Sequence, residues 1–110
     1  MTNSNELTNK ILSEKAEPGL EKFLDEFYND RVEDLRTINS LMDQGKLPEI
    51  GKIAHQWKGY SAPYGFQHLG FLGSQLENSC NETNSDTARN LINEVSVYLD
   101  LKNKHLNLEK

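Results

Sequence analysis

His55 is the residue best placed by type and neighbours to do chemistry, and it sits in the run Ala54-His55-Gln56-Trp57-Lys58-Gly59. An imidazole is a nucleophile and proton carrier near neutral pH, and Lys58 lies three residues on, beside it on a helix surface. Its ammonium is suited to offset the charge of an anionic group held on the ring. If the stretch from Pro48 to Tyr64 is helical, then Pro48, Gly51, Lys52, His55, Lys58, Gly59 and Ala62 fall within about 60° of the His55 direction. Ile50, Ile53, Trp57, Tyr60 and Tyr64 fall within about 40° of the reverse direction. Such a helix buries a bulky, largely aromatic stripe and turns His55 to solvent. Glycine in a helix interior costs about 1 kcal/mol relative to alanine. Gly51 one turn before His55 and Gly59 one turn after it therefore give up stability, and access to the imidazole by another protein is the expected return. Gly51, Lys52, Gly59 and Ala62 are the expected docking face.

The elements around this helix read as further helices. A short first helix is expected to start with Ser4 or Asn5 as N-cap and to bury Leu7, Ile11 and Leu12 before Pro18-Gly19. A second runs from about Gly19 to Gln44, with Leu20, Phe23, Leu24, Phe27, Leu35, Ile38, Leu41 and Met42 at helical spacing and Gly45 as its stop. Asp30, Arg31, Glu33 and Asp34 interrupt that stripe and read as a solvated face, with Val32 at its boundary. Pro48 suits the first turn of the His55 helix, and Pro63 is expected to kink or stop it near Ala62 to Tyr64. A fourth helix, Phe66 to about Cys80, carries Phe66, Leu69, Leu72, Leu76 and Cys80 on one side. Ser85 or Asp86 is expected to cap a fifth, which buries Ala88, Leu91, Ile92, Val95, Tyr98, Leu99 and Leu106, with Lys102 to Lys110 fraying. The pattern predicts an all-α fold, an antiparallel up-down four-helix bundle with a short additional N-terminal helix. All 110 residues form one expected domain: 1–18 the N-terminal helix and connection, 19–101 the bundle, 102–110 the tail.

These residues resemble the signature of histidine-containing phosphotransfer (Hpt) domains: Ala-His, an apolar residue, Lys-Gly, a glycine ten residues after the histidine, and an apolar helix carrying Leu-Glu. Here the glycine is Gly65 and the helix reads Leu69, Leu72, Leu76-Glu77. The resemblance covers Phe23 to about Tyr98, with its specific part from Ala54 to Glu77. It implies that His55 is a phosphoacceptor whose Nε2 takes the group from an aspartyl phosphate of a response-regulator receiver domain and returns it to another receiver. It implies that Lys58 steadies the phosphoryl group and that Gly59 lets the receiver dock. The chain is then a phosphoryl carrier without kinase activity of its own, with no cofactor, and the Mg²⁺ belongs to the partner receiver. Its partners are receiver domains and, by the same resemblance, a hybrid sensor kinase. Three positions depart from the pattern: Tyr60 stands where a small residue is common, Trp57 replaces Leu or Ile, and Pro63 interrupts the stretch before Gly65. Gln56 and Gln67 are read either as amides that reach the phosphoryl oxygens or as ordinary surface amides. The reading from another class is a helical adaptor that docks a protein on the same face without phosphorylation.

Composition narrows the classes. A net charge of -5 and a pI near 5.1, with no Lys/Arg stripe, argue against nucleic acid. No run of about 18 apolar residues exists to span a membrane, and Met1-Thr2-Asn3-Ser4-Asn5 lacks a secretory signal. A single cysteine, Cys80, forms no intramolecular disulfide and reads as a small core residue. The expected location is the cytoplasm, and a monomer is expected. Met1 and the lack of a linker read as a free-standing protein. No Glu stands three residues before His55, His68 or His105, and no cysteine cluster exists, so no metal site is expected. Gly65, Gly70 and Gly73 lack the strand and the Lys-Ser/Thr of a phosphate loop.

Overall fold

The computed structural model describes residues 4–106. Five α-helices form the fold: α1 (Ser4–Ser13), α2 (Leu24–Asp43), α3 (Leu47–Tyr60), α4 (Gln67–Asn81) and α5 (Ser85–Leu106). Two 3-10 turns, Glu21–Phe23 and Ala62–Tyr64, lead into α2 and out of α3, and no strand occurs among the described residues. The all-α expectation holds. Helix α3 packs on α2 and α4, and α5 packs on α2 and α4, so the four long helices close a ring around one core, with α1 laid against α5.

The core is built by the stripes read from the sequence. Ile38, Ile50, Ala54, Trp57, Phe66, Leu69, Leu76, Ala88, Val95 and Tyr98 are fully buried, and Cys80 lies among them. Burial of this apolar area, at about 25 cal/mol per Å², is the main drive for folding. Gly45 ends α2 at φ +71° and Gly65 closes the second 3-10 turn at φ +81°, backbone conformations that favour glycine. Pro63 cannot donate to the carbonyl of Gly59. The α-helix accordingly gives way to the 3-10 turn at Ala62–Tyr64, as expected from that proline.

Several local expectations are corrected. Ser4 and Asn5 lie inside α1 and not before it. Leu12 is 60% exposed, because α1 buries only the face of Leu7 and Ile11. Helix α2 begins at Leu24, after the 3-10 turn, which leaves Phe23 exposed. Asn84 caps α5, its Oδ1 accepting the Thr87 N–H at 3.1 Å, so Ser85 and Asp86 are already helical. The fraying expected from Lys102 is not found as far as Leu106, although residues 107–110 and the Leu106 side chain lie outside the described residues. Lys102 is buried, and its ammonium donates to Glu14 Oε1 and to the Gly65 carbonyl, both at 2.6 Å. The second Glu14 oxygen accepts the His68 N–H at 2.7 Å and so caps α4, where Phe66 offers no side-chain acceptor. Tyr98 also donates to Glu14 at 2.8 Å. One carboxylate from the segment after α1 thus ties α4 and α5 together.

Candidate functional site

The His55 side chain is 66% exposed on α3, on the face opposite the buried Ile50 and Trp57, as the helical wheel requires. It stands over a groove of about 630 Å³ between α3 and α4, lined by Pro48, Gly51, Lys52, His55, Gln56, Glu77 and Asn81. His55 Nδ1 lies 2.8 Å from Glu77 Oε2, and Lys58 Nζ lies 3.7 Å from Glu77 Oε1. A carboxylate only accepts, so the proton of the neutral ring belongs on Nδ1, and Nε2 keeps its lone pair. The Glu77 side chain is 21% exposed and that of Lys58 is 52% exposed. The ammonium is therefore held loosely, within reach of charge that arrives on the ring.

The glycines divide by role. Nothing lies within 4 Å of a Cβ placed on Gly59, so this position is open surface one turn beyond His55. Gly51 is buried, and a Cβ there would meet Cys80 Cβ at 3.4 Å. Its expected place on an open docking face is corrected: it forms the floor of the groove, where its small size lets α4 approach. Gly73 brings the two helices closer still, since a Cβ on it would come within 2.8 Å of the Ala54 carbonyl oxygen and 3.0 Å of Trp57 Cβ. Glu77 is one turn beyond Gly73 on the same side of α4, and this close approach is what delivers its carboxylate to His55.

Lys52 and Gln56 are exposed beside His55 and line the same groove. Ala62 is exposed but belongs to the 3-10 turn after α3, so the wheel direction assigned to it does not apply. Gln67 does not join the site. Its amide donates to the Ala62 and Lys15 carbonyls at 3.2 and 3.4 Å, and it lines a separate crevice with Lys10, His68 and Phe71. The phosphoryl-contact reading of Gln67 is corrected on that ground. His68 is buried against Phe71 and Tyr98, where desolvation and nearby Lys10 push its pKa down. His105 is exposed in the last described turns of α5. No group of three or more His, Cys, Asp or Glu side chains suited to a metal ion occurs among the described residues. No described helix is long and apolar enough to cross a membrane.

Glu77 is the residue that sequence reasoning left out of the site, although it stands in the quoted Leu76-Glu77 pair. The available signal was Gly70, Gly73 and Glu77 at spacings of three and four, a narrow side of α4 against which another helix fits.

Comparison with protein families matched the Hpt domain over residues 22–106. The chain belongs to the Hpt domain family. Membership gives this Hpt domain a phosphotransfer role in two-component signalling, and Hpt domains generally interact with receiver domains. No curated protein and no solved structure matched it. The match begins after α1 and after Glu14, so both lie outside the matched residues.

Proposed function

We propose that this Hpt domain is a phosphoryl carrier of a phosphorelay, accepting the group on His55 Nε2 from a receiver aspartate and passing it to another receiver. The observation that carries the reading is the 2.8 Å bond between His55 Nδ1 and Glu77 on an otherwise exposed imidazole. In the transfer the N–P bond forms at Nε2 as the acyl O–P bond breaks, and the receiver carboxylate leaves. No proton has to move: Nδ1 keeps its hydrogen, the ring becomes a phosphoimidazolium, and the Glu77 carboxylate faces the new positive charge. Lys58 turns from Glu77 to the phosphoryl oxygens. The return step is the same sequence reversed. The receiver supplies Mg²⁺ and the remaining charged groups, which leaves this chain to orient one nucleophile.

Lys52, Gln56 and Gly59 form the surface on which the receiver closes, with Gly51 beneath it. The test is incubation with a phosphorylated receiver domain. Wild-type protein is expected to gain an acid-labile, base-stable label, and His55→Gln to gain none while melting at the same temperature, because a solvent-facing side chain contributes under about 0.5 kcal/mol to stability. Equal labelling of His55→Gln and wild type rejects the assignment.

A further inference from the structure

Trp57, two residues after His55, points about 160° away from it around α3 and is fully buried. The indole is held at both ends. Its Cβ abuts α4 at Gly73, where an added Cβ would come within 3.0 Å, and its Nε1–H donates to Asp34 Oδ2 on α2 at 2.9 Å. The same Asp34 oxygen accepts the Arg31 Nε–H at 2.9 Å. Arg31 is itself fixed, its guanidinium 4.5 Å from the ring centre of Phe27 and 4.7 Å from that of Tyr60, with a side chain 10% exposed. Arg31 and Asp34 are therefore not the solvated face that their charges suggest in the sequence. They are the wall against which the acceptor helix is set.

We infer that Asp34, held by Arg31, is a positioning residue for phosphotransfer: through Trp57 it fixes the rotation of α3 and so the meeting of His55 Nδ1 with Glu77. This rests on the phosphohistidine reading above. The geometry sets the sensitivity. A rotation of α3 by about 10° moves a group about 6 Å from the helix axis by about 1 Å, the lever being the Cα radius plus the side chain. A displacement of that size takes a 2.8 Å contact out of hydrogen-bond range. The imidazole then samples both tautomers, and in one of them Nε2 carries the proton and is no longer a nucleophile.

The experiment compares Trp57→Phe, which keeps a smaller aromatic ring but removes the donor, with Asp34→Ala and Asp34→Asn, well below their melting temperatures. Two readouts are taken: ¹⁵N shifts of the His55 ring in unphosphorylated protein, and kcat and KM for transfer from a phosphorylated receiver. Trp57→Phe and Asp34→Ala are expected to shift the ring from the Nδ1–H form toward a mixture. They are also expected to lower kcat on the order of tenfold or more, with KM changed less, since no side chain of the docking face is replaced. Asp34→Asn keeps an acceptor for the indole and is expected to retain most of both signals. Variants with lower melting temperatures but wild-type ring shifts and kcat overturn the inference and leave Asp34 a stabilising contact. The ring shifts need no phosphate, so they decide the positioning role even if the wild type takes no label, which overturns the proposed function instead.

Discussion

Replacing Gly73 by alanine probes the close packing that brings Glu77 to His55. The new methyl would stand 2.8 Å from the Ala54 carbonyl oxygen, 3.0 Å from Trp57 Cβ and 3.2 Å from the Lys58 amide nitrogen. Two of these are backbone atoms and the third is the root of a buried indole, so none can swing aside. To reach an ordinary contact of 3.4 Å, α4 must retreat by about 0.6 Å. Transmitted one turn along α4, that retreat stretches the 2.8 Å bond between His55 and Glu77 to about 3.4 Å, the limit of a hydrogen bond. Alanine gains about 1 kcal/mol of helix propensity over glycine, against a cost of about 1–3 kcal/mol for overpacking. The net loss is centred near 1 kcal/mol, or about 4–8 °C in melting temperature for a domain of this size. Gly59→Gln is the control. Its Cβ has open space, so it is expected to raise the melting temperature through propensity alone while obstructing the receiver. Thermal melting, ¹⁵N shifts of His55 and transfer rate are measured on the same preparations. A Gly73→Ala protein that melts higher than wild type and keeps the His55 ring signals unchanged would refute the packing argument.

Lys58→Ala is expected to shorten the lifetime of the phosphorylated form or slow transfer, while binding of an unphosphorylated receiver changes less, as hydrolysis kinetics and titration calorimetry would report. Glu14→Gln leaves the Lys102 ammonium without its partner ion in a site where their side chains are 1% and 4% exposed. It is expected to cost about 3–5 kcal/mol, and adding Lys102→Met should recover much of that in urea unfolding. The folded-state pKa of His68 lies below its unfolded value, chiefly through burial. The unfolded chain therefore binds the proton first as pH falls, and stability should decline below about pH 6.5 until the folded-state pKa is passed. His68→Leu should remove that part of the slope in melts taken between pH 7.5 and 5.

The helices were legible because each carries a stripe at the 3.6-residue period, and the direction of His55 followed from the opposite stripe through Ile50 and Trp57. Pro63 and Gly65 marked the end of α3 for reasons that are purely local. Contacts between distant segments were not legible. Glu14, Arg31, Asp34 and Lys102 are charged, and a charge run on a helix is ordinarily solvated. Their burial depends on partners 88 residues away for Lys102 with Glu14 and 23 residues away for Trp57 with Asp34. Gly51 and Gly59 show the same limit at closer range. Both sit one turn from His55 on the wheel, but only the position of α4 makes one a packing residue and the other open surface.

Whether His55 carries a phosphoryl group on Nε2 is tested by direct observation of the phosphorylated protein. After reaction with a phosphorylated receiver, the labelled protein is kept near neutral pH and examined by phosphosite mass spectrometry and by ¹⁵N–³¹P correlation. Phosphorus is expected on His55 alone, coupled to Nε2, with Nδ1 still protonated and bonded to Glu77. Phosphorus on His68 or His105, coupling to Nδ1, or a receiver that binds without any transfer would contradict it.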